Sequence, residues 1–254
     1  MTDAEDWVYG VHAVTGVLTR NPGRVRVVYL LSSGRASRRR DSRLEGLREL
    51  ARNAGVRVDL VERRRLDQLS DGPHQGVVAQ CHALALADEG DFEAAFADFV
   101  RPRLLLLLDG VTDPRNLGAC LRTASAAGVQ AVLLPKRRSS PLNSVALKTA
   151  SGGAEELMLV QVTNVARRLK WLGDQGVWVI GGTGDAETSW NMADYRGDVA
   201  LVLGSEEKGL RALTAKSCDQ LVGIPMTGTV SSLNVSVATG VLLFEAIRQR
   251  QATS

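Results

Sequence analysis

Cysteine and histidine are scarce in this 254-residue chain, with three of each. Cys81, Cys120 and Cys218 are odd in number and far apart, which argues against a disulfide framework and a Cys-x-x-Cys ligand pair. Reduced thiols in the cytoplasm are the expected setting. His12, His74 and His82 all fall in the first third, so the rest of the chain has no histidine for a Ser-His-Asp set or a metal cluster, and no metal site is expected. Long apolar runs are missing too. None approaches the roughly 18 residues of a membrane span. The acidic start, Met1-Thr2-Asp3-Ala4-Glu5-Asp6, lacks the basic-then-apolar order of a signal peptide. No membrane partner is expected. A Gly-x-Gly-x-x-Gly spacing is absent after the first strand of the second half, Gly181-Gly182-Thr183-Gly184 precedes no convincing helix, and nothing resembles a Walker phosphate loop. Internal repeats and low-complexity segments are also lacking.

What is present fits a globular protein: 44% apolar residues and a mean hydropathy of −0.04, in a length that suits one large domain or two ordinary ones. The net charge is only +3, but its distribution is uneven. Residues 1–84 hold 14 basic and 10 acidic groups, and every basic one is arginine; the remainder is net −1. Arginine forks match phosphate geometry, although a solvated surface explains such an excess as cheaply. Five arginines, Arg35, Arg38, Arg39, Arg40 and Arg43, crowd the Gly/Ser-containing stretch 34–43, where RNA contact is the expectation.

Residues 1–84 read as a small α/β unit, with strands over 25–31, 56–61 and 76–81, a short helix after Tyr9, and an amphipathic helix over 44–53. Residues 85–101, rich in Ala, Asp and Glu, read as an acidic linker carrying a short helix. From residue 102 to 254 strands alternate with helices, which predicts a parallel sheet flanked by helices. Strands are expected over 104–108, 131–134, 156–160, 177–180, 200–203 and 221–224. Helices are expected over 116–127, 142–150, 165–172, 210–216 and 234–249, the last buried on most of its faces.

Three segments follow strand ends, where open parallel sheets place ligands. The first runs from Asp109 to Arg122, with Asn116 as a plausible helix cap and Arg122 inside an otherwise apolar helix. Arg122 also reads as a snorkelling or ion-paired residue. The second is Gly204-Ser205-Glu206-Glu207-Lys208-Gly209. The third is Ile224-Pro225-Met226-Thr227-Gly228-Thr229-Val230-Ser231-Ser232-Leu233-Asn234-Val235, which reads equally as a capped turn or a ligand loop.

Together the three segments resemble the three motifs of the TrmH-type branch of the SPOUT superfamily, the RNA ribose 2'-O-methyltransferases. Asn116-Leu117-Gly118-Ala119 with Arg122 looks like the first, Gly204-Ser205-Glu206 with Gly209 the second, and Ile224-Pro225-Met226 with Ser231 to Ala238 the third. Tyr9-Gly10-Val11-His12-Ala13-Val14, His74-Gln75-Gly76-Val77 and Asp109 to Pro114 extend the likeness to nearly the whole chain, towards the bacterial 23S rRNA guanosine 2'-O-methyltransferases. Glu207-Lys208 departs from the small residues common at that turn.

The resemblance implies a C-terminal domain with a deep trefoil knot, a small N-terminal L7Ae/L30e-like domain that binds 23S ribosomal RNA, and a homodimer. It implies S-adenosylmethionine bound at Thr183, Gly204, Ile224, Met226 and Leu233. Arg122, Asn116, Glu206, Ser232 and Asn234 would form the catalytic set, and His12, His74 and the arginine stretch would meet RNA. Methylation of tRNA or of another rRNA site, and a non-catalytic RNA-binding assembly factor, are the competing readings. Intact motifs weigh against the last.

Overall fold

The computed structural model describes residues 5–32, 38–70, 72–205 and 208–252. The chain divides into two compact units, Met1–Ala85 with Leu142–Glu156, and Leu86–Pro141 with Leu157–Ser254.

In the first unit β1 (Glu5–Tyr9), β2 (Val25–Leu31), β3 (Arg57–Val61) and β4 (Val77–His82) form a sheet in the order β1-β4-β2-β3. β4 is antiparallel to both neighbours, while β2 and β3 run parallel. Helix α1 (Val11–Arg20) buries Ala13, Val14, Val17 and Leu18, the three-and-four spacing of one helix face. Helices α2 (Arg38–Asn53) and α3 (Arg63–Leu69) follow. β1 and α3 are additions to the expected set. β1 starts in an acidic stretch, and α3 opens on three arginines and buries Leu66 alone, so neither shows an apolar period.

Residues 142–156, expected with the C-terminal domain, belong to this first unit. Their helix α6 (Ser144–Ala150) lies close to its expected place in the chain, but its partners are distant in sequence. Arg24, 5% exposed, pairs with Asp6 and with Glu155, and its Nε donates to His82 O at 2.6 Å. A Cβ added to Gly16 would stand 2.5 Å from Gly152 Cα, so only two glycines permit this backbone crossing.

The second unit holds β5 (Leu104–Asp109), β6 (Ala131–Pro135), β7 (Met158–Val162), β8 (Trp178–Gly182), β9 (Val199–Gly204) and β10 (Gln220–Val222). Their order is β10-β8-β9-β5-β6-β7 and every pairing is parallel. Central β5 is buried at all six positions, which is why it reads as an unbroken run of leucine. On one face Leu105, Leu107, Leu133, Val160 and Val202 pack with Phe92, Phe96 and with Leu169 and Leu172 of α7 (Val165–Asp174). The other face carries α5 (Pro114–Ala126) and α9 (Val235–Gln251), which pack on each other; Cys120 Sγ meets Thr239 Oγ1 at 3.4 Å there. Short α8 (Ala212–Lys216) follows β9.

The stretch 85–101 is built into this unit rather than serving as a linker. Asp88 caps α4 (Glu89–Ala95) by accepting from Gly90 N at 2.7 Å and Asp91 N at 2.8 Å, and Asp91 accepts from Asp88 N in return. Glu89 accepts from Thr163 N and from Arg168 Nη2, each at 2.7 Å. Phe92 and Phe96 are buried, each worth about 1.5–3 kcal/mol of transfer free energy. Its acidity therefore serves capping and ion pairing. Helix α9 also differs from expectation: Val237 and Phe244 are half exposed, leaving an uncovered apolar stripe. Among the described residues, no helix is long and apolar enough to cross a membrane.

Candidate active site

The carboxyl ends of β8, β9 and β10 open onto a cleft of about 390 Å³. Thr183, Gly184 and Asp185 follow β8; Gly204, Ser205, Lys208 and Gly209 close β9; Ile224, Met226, Ser231, Ser232 and Leu233 follow β10. Val222, Val235, Ala238 and Leu242 supply an apolar floor. All five residues expected at a cofactor line this one cleft, and Ser232 joins them.

Close backbone packing explains the glycines. A Cβ on Gly204 would stand 2.0 Å from Gly209 C, inside any tolerable contact. Gly209 itself sits at φ +62°, in the left-handed region that glycine enters without penalty. Ser205 N donates to Gly209 O at 3.1 Å and Gly209 N donates to Ser205 O at 2.9 Å, a reciprocal pair that ties the end of β9 to Gly209. Lys208 N also donates to Ser205 Oγ at 3.3 Å. Glu206, expected in the catalytic set, lies outside the described residues.

The loop after β5 is anchored from below. Buried Asp109 accepts from Arg211 Nε at 3.0 Å, from Arg211 Nη2 and from Thr214 Oγ1 at 2.6 Å. Hydrogen bonding to that carboxylate holds the Arg211 guanidinium above its ordinary pKa. Burial pushes the nearby Cys218 thiol up to about 12, so it stays protonated and inert.

Helix α5 is capped by Asp113, whose Oδ1 accepts from Arg115 N at 2.6 Å, with Pro114 in the first helical position. Asn116 is therefore not the cap. Its Oδ1 instead accepts from Asn234 Nδ2 at 3.0 Å. Asn234 caps α9 at the same time, taking Ser236 N at 2.8 Å and Ser236 Oγ at 2.6 Å on its own Oδ1. The first and third motifs thus meet at two helix N-termini beside the cleft. Arg122 does not line the cleft. It stands exposed on α5 and makes no hydrogen bond or ion pair among the described residues.

The residues expected to meet RNA are dispersed. His12 is exposed on α1. His74 is 8% exposed, accepts from Gly76 N at 2.9 Å on Nδ1 and sets Nε2 3.1 Å from Asp67 Oδ1, the bonding of a structural histidine. Arg35 lies outside the described residues, as do the side chains of Arg38, Arg39 and Arg40 at the start of α2. Ser205, Lys208 and Ser231 line the cleft from within the expected ligand segments, without a role assigned to them from sequence, and Asp185 is a lining residue that the sequence reading missed. A carboxylate three residues past a strand, at Asp185, was the available signal; the lack of a following helix masked it.

Comparison with known proteins gives a consistent pattern. The model of the SpoU rRNA Methylase family matches residues 103–244, and that of RNA 2'-O ribose methyltransferase substrate binding matches residues 7–87. The Escherichia coli (strain K12) protein named 23S rRNA (guanosine-2'-O-)-methyltransferase RlmB is 46% identical over 246 residues, covering 96% of this chain and 99% of its own. The Pseudomonas putida protein of the same name is 50% identical over 244 residues, 96% of each chain. The crystal structure of the SpoU methyltransferase AviRb from Streptomyces viridochromogenes, in complex with the cofactor AdoMet, superposes with a TM-score of 0.78 at 24% identity. It covers 98% of this chain and 91% of that one, a likeness of fold.

Proposed function

The chain belongs to the SpoU rRNA methylase family, and we propose that it methylates the ribose 2'-hydroxyl of a guanosine in 23S rRNA with S-adenosylmethionine. One observation carries this reading: the five expected cofactor residues, from loops up to 50 positions apart, line a single cleft at a parallel-sheet edge. The donor set suits that cofactor. Gly204 keeps a backbone-lined wall that any side chain would fill, Ile224, Met226 and Leu233 offer apolar surface, and Asp185 and Lys208 offer partners for an ammonium and a carboxylate. Bound there, S-adenosylmethionine would supply an electrophilic methyl group on a good leaving group.

The protein's own task is then to position the ribose oxygen and stabilise the charge it develops. Arg122 suits the second role, with a guanidinium that no neighbour among the described residues engages. A guanidinium offers donors and no acceptor, so it suits holding a phosphate or an alkoxide rather than removing a proton. Ser232, Asn116 and Asn234 would orient the ribose, and the family resemblance adds Glu206 to that set.

Three further parts of the reading rest on the family. A deep trefoil knot accounts for the way residues 183–190 bracket one strand end: Thr183 N donates to Val222 O, Gly223 N to Thr188 O and Trp190 N to Gly223 O, each at 2.9 Å. A homodimer accounts for Arg122 standing outside its own chain's cleft, since a partner's cleft could receive it, and for the bare Val237 and Phe244 stripe on adjacent α9. The first unit would be an L7Ae/L30e-like RNA-binding domain, as the match over residues 7–87 supports. Such an enzyme would work in the cytoplasm with the ribosome. The test is incubation with unmodified 23S rRNA, tRNA and labelled cofactor, followed by mapping of 2'-O-methyl positions. Label at one guanosine of 23S rRNA is expected. Label on tRNA alone would overturn the substrate, and label on no RNA would favour a binding factor.

A further inference from the structure

A second concavity, of about 400 Å³, lies on the same carboxyl edge of the sheet beyond β5. Arg137 and Arg138, on the turn after β6, and Arg211 all line it. Among the described residues, no acidic one does. Arg137 and Arg138 are exposed and make no ion pair or side-chain hydrogen bond among the described residues, whereas Arg211 is held in place by buried Asp109. The first turn of α7 forms the opposite wall through Val165 and Ala166, and its amides add the partial positive charge of a helix N-terminus.

Two details separate this shelf from an ordinary solvated charge run. Arg138 sits at φ +61°, a left-handed conformation costing a non-glycine residue about 1 kcal/mol or more, so an arginine is kept at this turn at an energetic cost. The shelf also lies close to the cofactor cleft, with only the backbone of Gly110 between a shelf residue and a cleft residue. A Cβ built on Gly110 would stand 3.9 Å from Arg138 O and 3.6 Å from Cβ of Ser205, a cleft residue. A polyanion whose sugar reached the cleft rim would lay its neighbouring phosphates across these arginines.

We infer that Arg137, Arg138 and Arg211 form a phosphate-binding shelf that carries the backbone of the RNA substrate past the methylation site. This rests on the reading that the substrate is RNA. Such contacts position the strand without reading its sequence, and each releases counterions.

The test compares the wild-type protein with Arg137→Ala/Arg138→Gly, which removes both charges and relieves the left-handed backbone, and with Arg137→Lys/Arg138→Lys, which keeps them. Affinity for a 23S rRNA fragment is measured by fluorescence anisotropy over a range of KCl concentrations, with cofactor affinity and thermal melting alongside. Removing the charges should weaken RNA binding roughly tenfold or more, whatever the fragment's sequence, and lower the slope of log affinity against log salt by about 1.4–1.8 for two lost phosphate contacts. Cofactor affinity should not move, melting should not fall, and the lysine variant should keep most of the slope. An affinity and slope unchanged in the charge-removed variant, while the wild-type protein does methylate rRNA, would overturn the shelf alone. A wild-type protein that neither binds nor methylates RNA would overturn the shelf and the proposed function together. Displacement of RNA by inorganic phosphate well beyond that by chloride at equal ionic strength, lost in the charge-removed variant, would show a small-anion pocket and overturn the assignment to RNA.

Discussion

The side-chain amide of Asn234 donates to Asn116 Oδ1 at 3.0 Å across 118 positions of chain. Each residue sits in the first turn or cap of its helix, so the bond ties the N-termini of α5 and α9 to each other next to the cleft. Asn234 serves two ends, and substitutions can separate them. Asn234→Ala loses the cap and should cost about 1 kcal/mol in denaturant unfolding, with methyl transfer reduced. Asn234→Ser keeps an oxygen for the Ser236 amide but has no amide to reach Asn116, so stability should stay near wild type while transfer still falls. A cycle with Asn116→Ala reads the coupling directly, and additive effects would show that the bond does not matter.

Gly204 gives a sharper test. Its Cβ position is filled by the Gly209 backbone, which a flexible side chain's retreat cannot clear. Gly204→Ala should destabilise the fold by about 1–3 kcal/mol and abolish cofactor binding by calorimetry. Gly184→Ala is the matched control, because open space surrounds its Cβ position and cofactor affinity should change little.

The acidic stretch before β5 should show in the pH dependence of stability. Burial raises the Glu89 pKa, but hydrogen bonds from Arg168 and Thr163 outweigh it, and the net direction is downward. As pH falls through the ordinary glutamate range the unfolded chain takes up a proton first, so Glu89's contribution, fully present at neutral pH, is lost below about 4.5. Melting temperature followed from pH 7 to 3 should fall less steeply for Glu89→Gln than for the wild type, from a lower neutral starting value. Parallel curves would remove Glu89 from the account.

Much of the second unit was legible because its signals are local. The leucines of β5 announce a strand buried on both faces, Gly204 ends β9, and Ile224 and Leu233 lie on the loop between β10 and α9, where a ligand loop is expected. What stayed hidden depends on partners far along the chain. Gly152 needs Gly16, Glu155 needs Arg24, and Asp109 needs Arg211; no window of 18 residues contains any of these pairs. Hence the local pattern of 142–156 shows its helix but not the unit to which it belongs. Asp113 outcompeted Asn116 as the α5 cap because the following Pro114 presets the first helical φ and has no amide to leave unsatisfied. His74 looked available for RNA, but burial and the Gly76 amide occupy it.

The bare stripe on α9 bears on assembly. Phe244 is 50% exposed and Val237 51%, on a helix whose other faces are packed. Phe244→Glu would place a charge in any interface formed there, at a desolvation cost of several kcal/mol, but would meet only water in a monomer. Sedimentation should show a dimer for the wild type and a monomer for the variant, with little loss of secondary structure. A wild-type monomer at micromolar concentration would remove the dimer.

Arg122 then carries the mechanistic test. Because it is exposed and unengaged among the described residues, Arg122→Ala should leave unfolding stability within about 0.5 kcal/mol, as expected for a surface position. If its guanidinium steadies the developing alkoxide or the adjacent phosphate, its loss should lower kcat by about 100–1,000-fold, the scale for removing one pre-oriented donor to an oxyanion. Cofactor affinity should be nearly intact, since Arg122 does not line the cleft. Arg122→Lys keeps the charge but loses the planar fork, so partial recovery of kcat is expected, more at a single oxygen than at a bidentate phosphate. A rate limited by a base at this position would instead rise with pH in the lysine variant, whose ammonium deprotonates within reach of an alkaline assay while the arginine does not. Calorimetry showing lost cofactor binding in Arg122→Ala would move this residue from the reacting oxygen to the fold of the site.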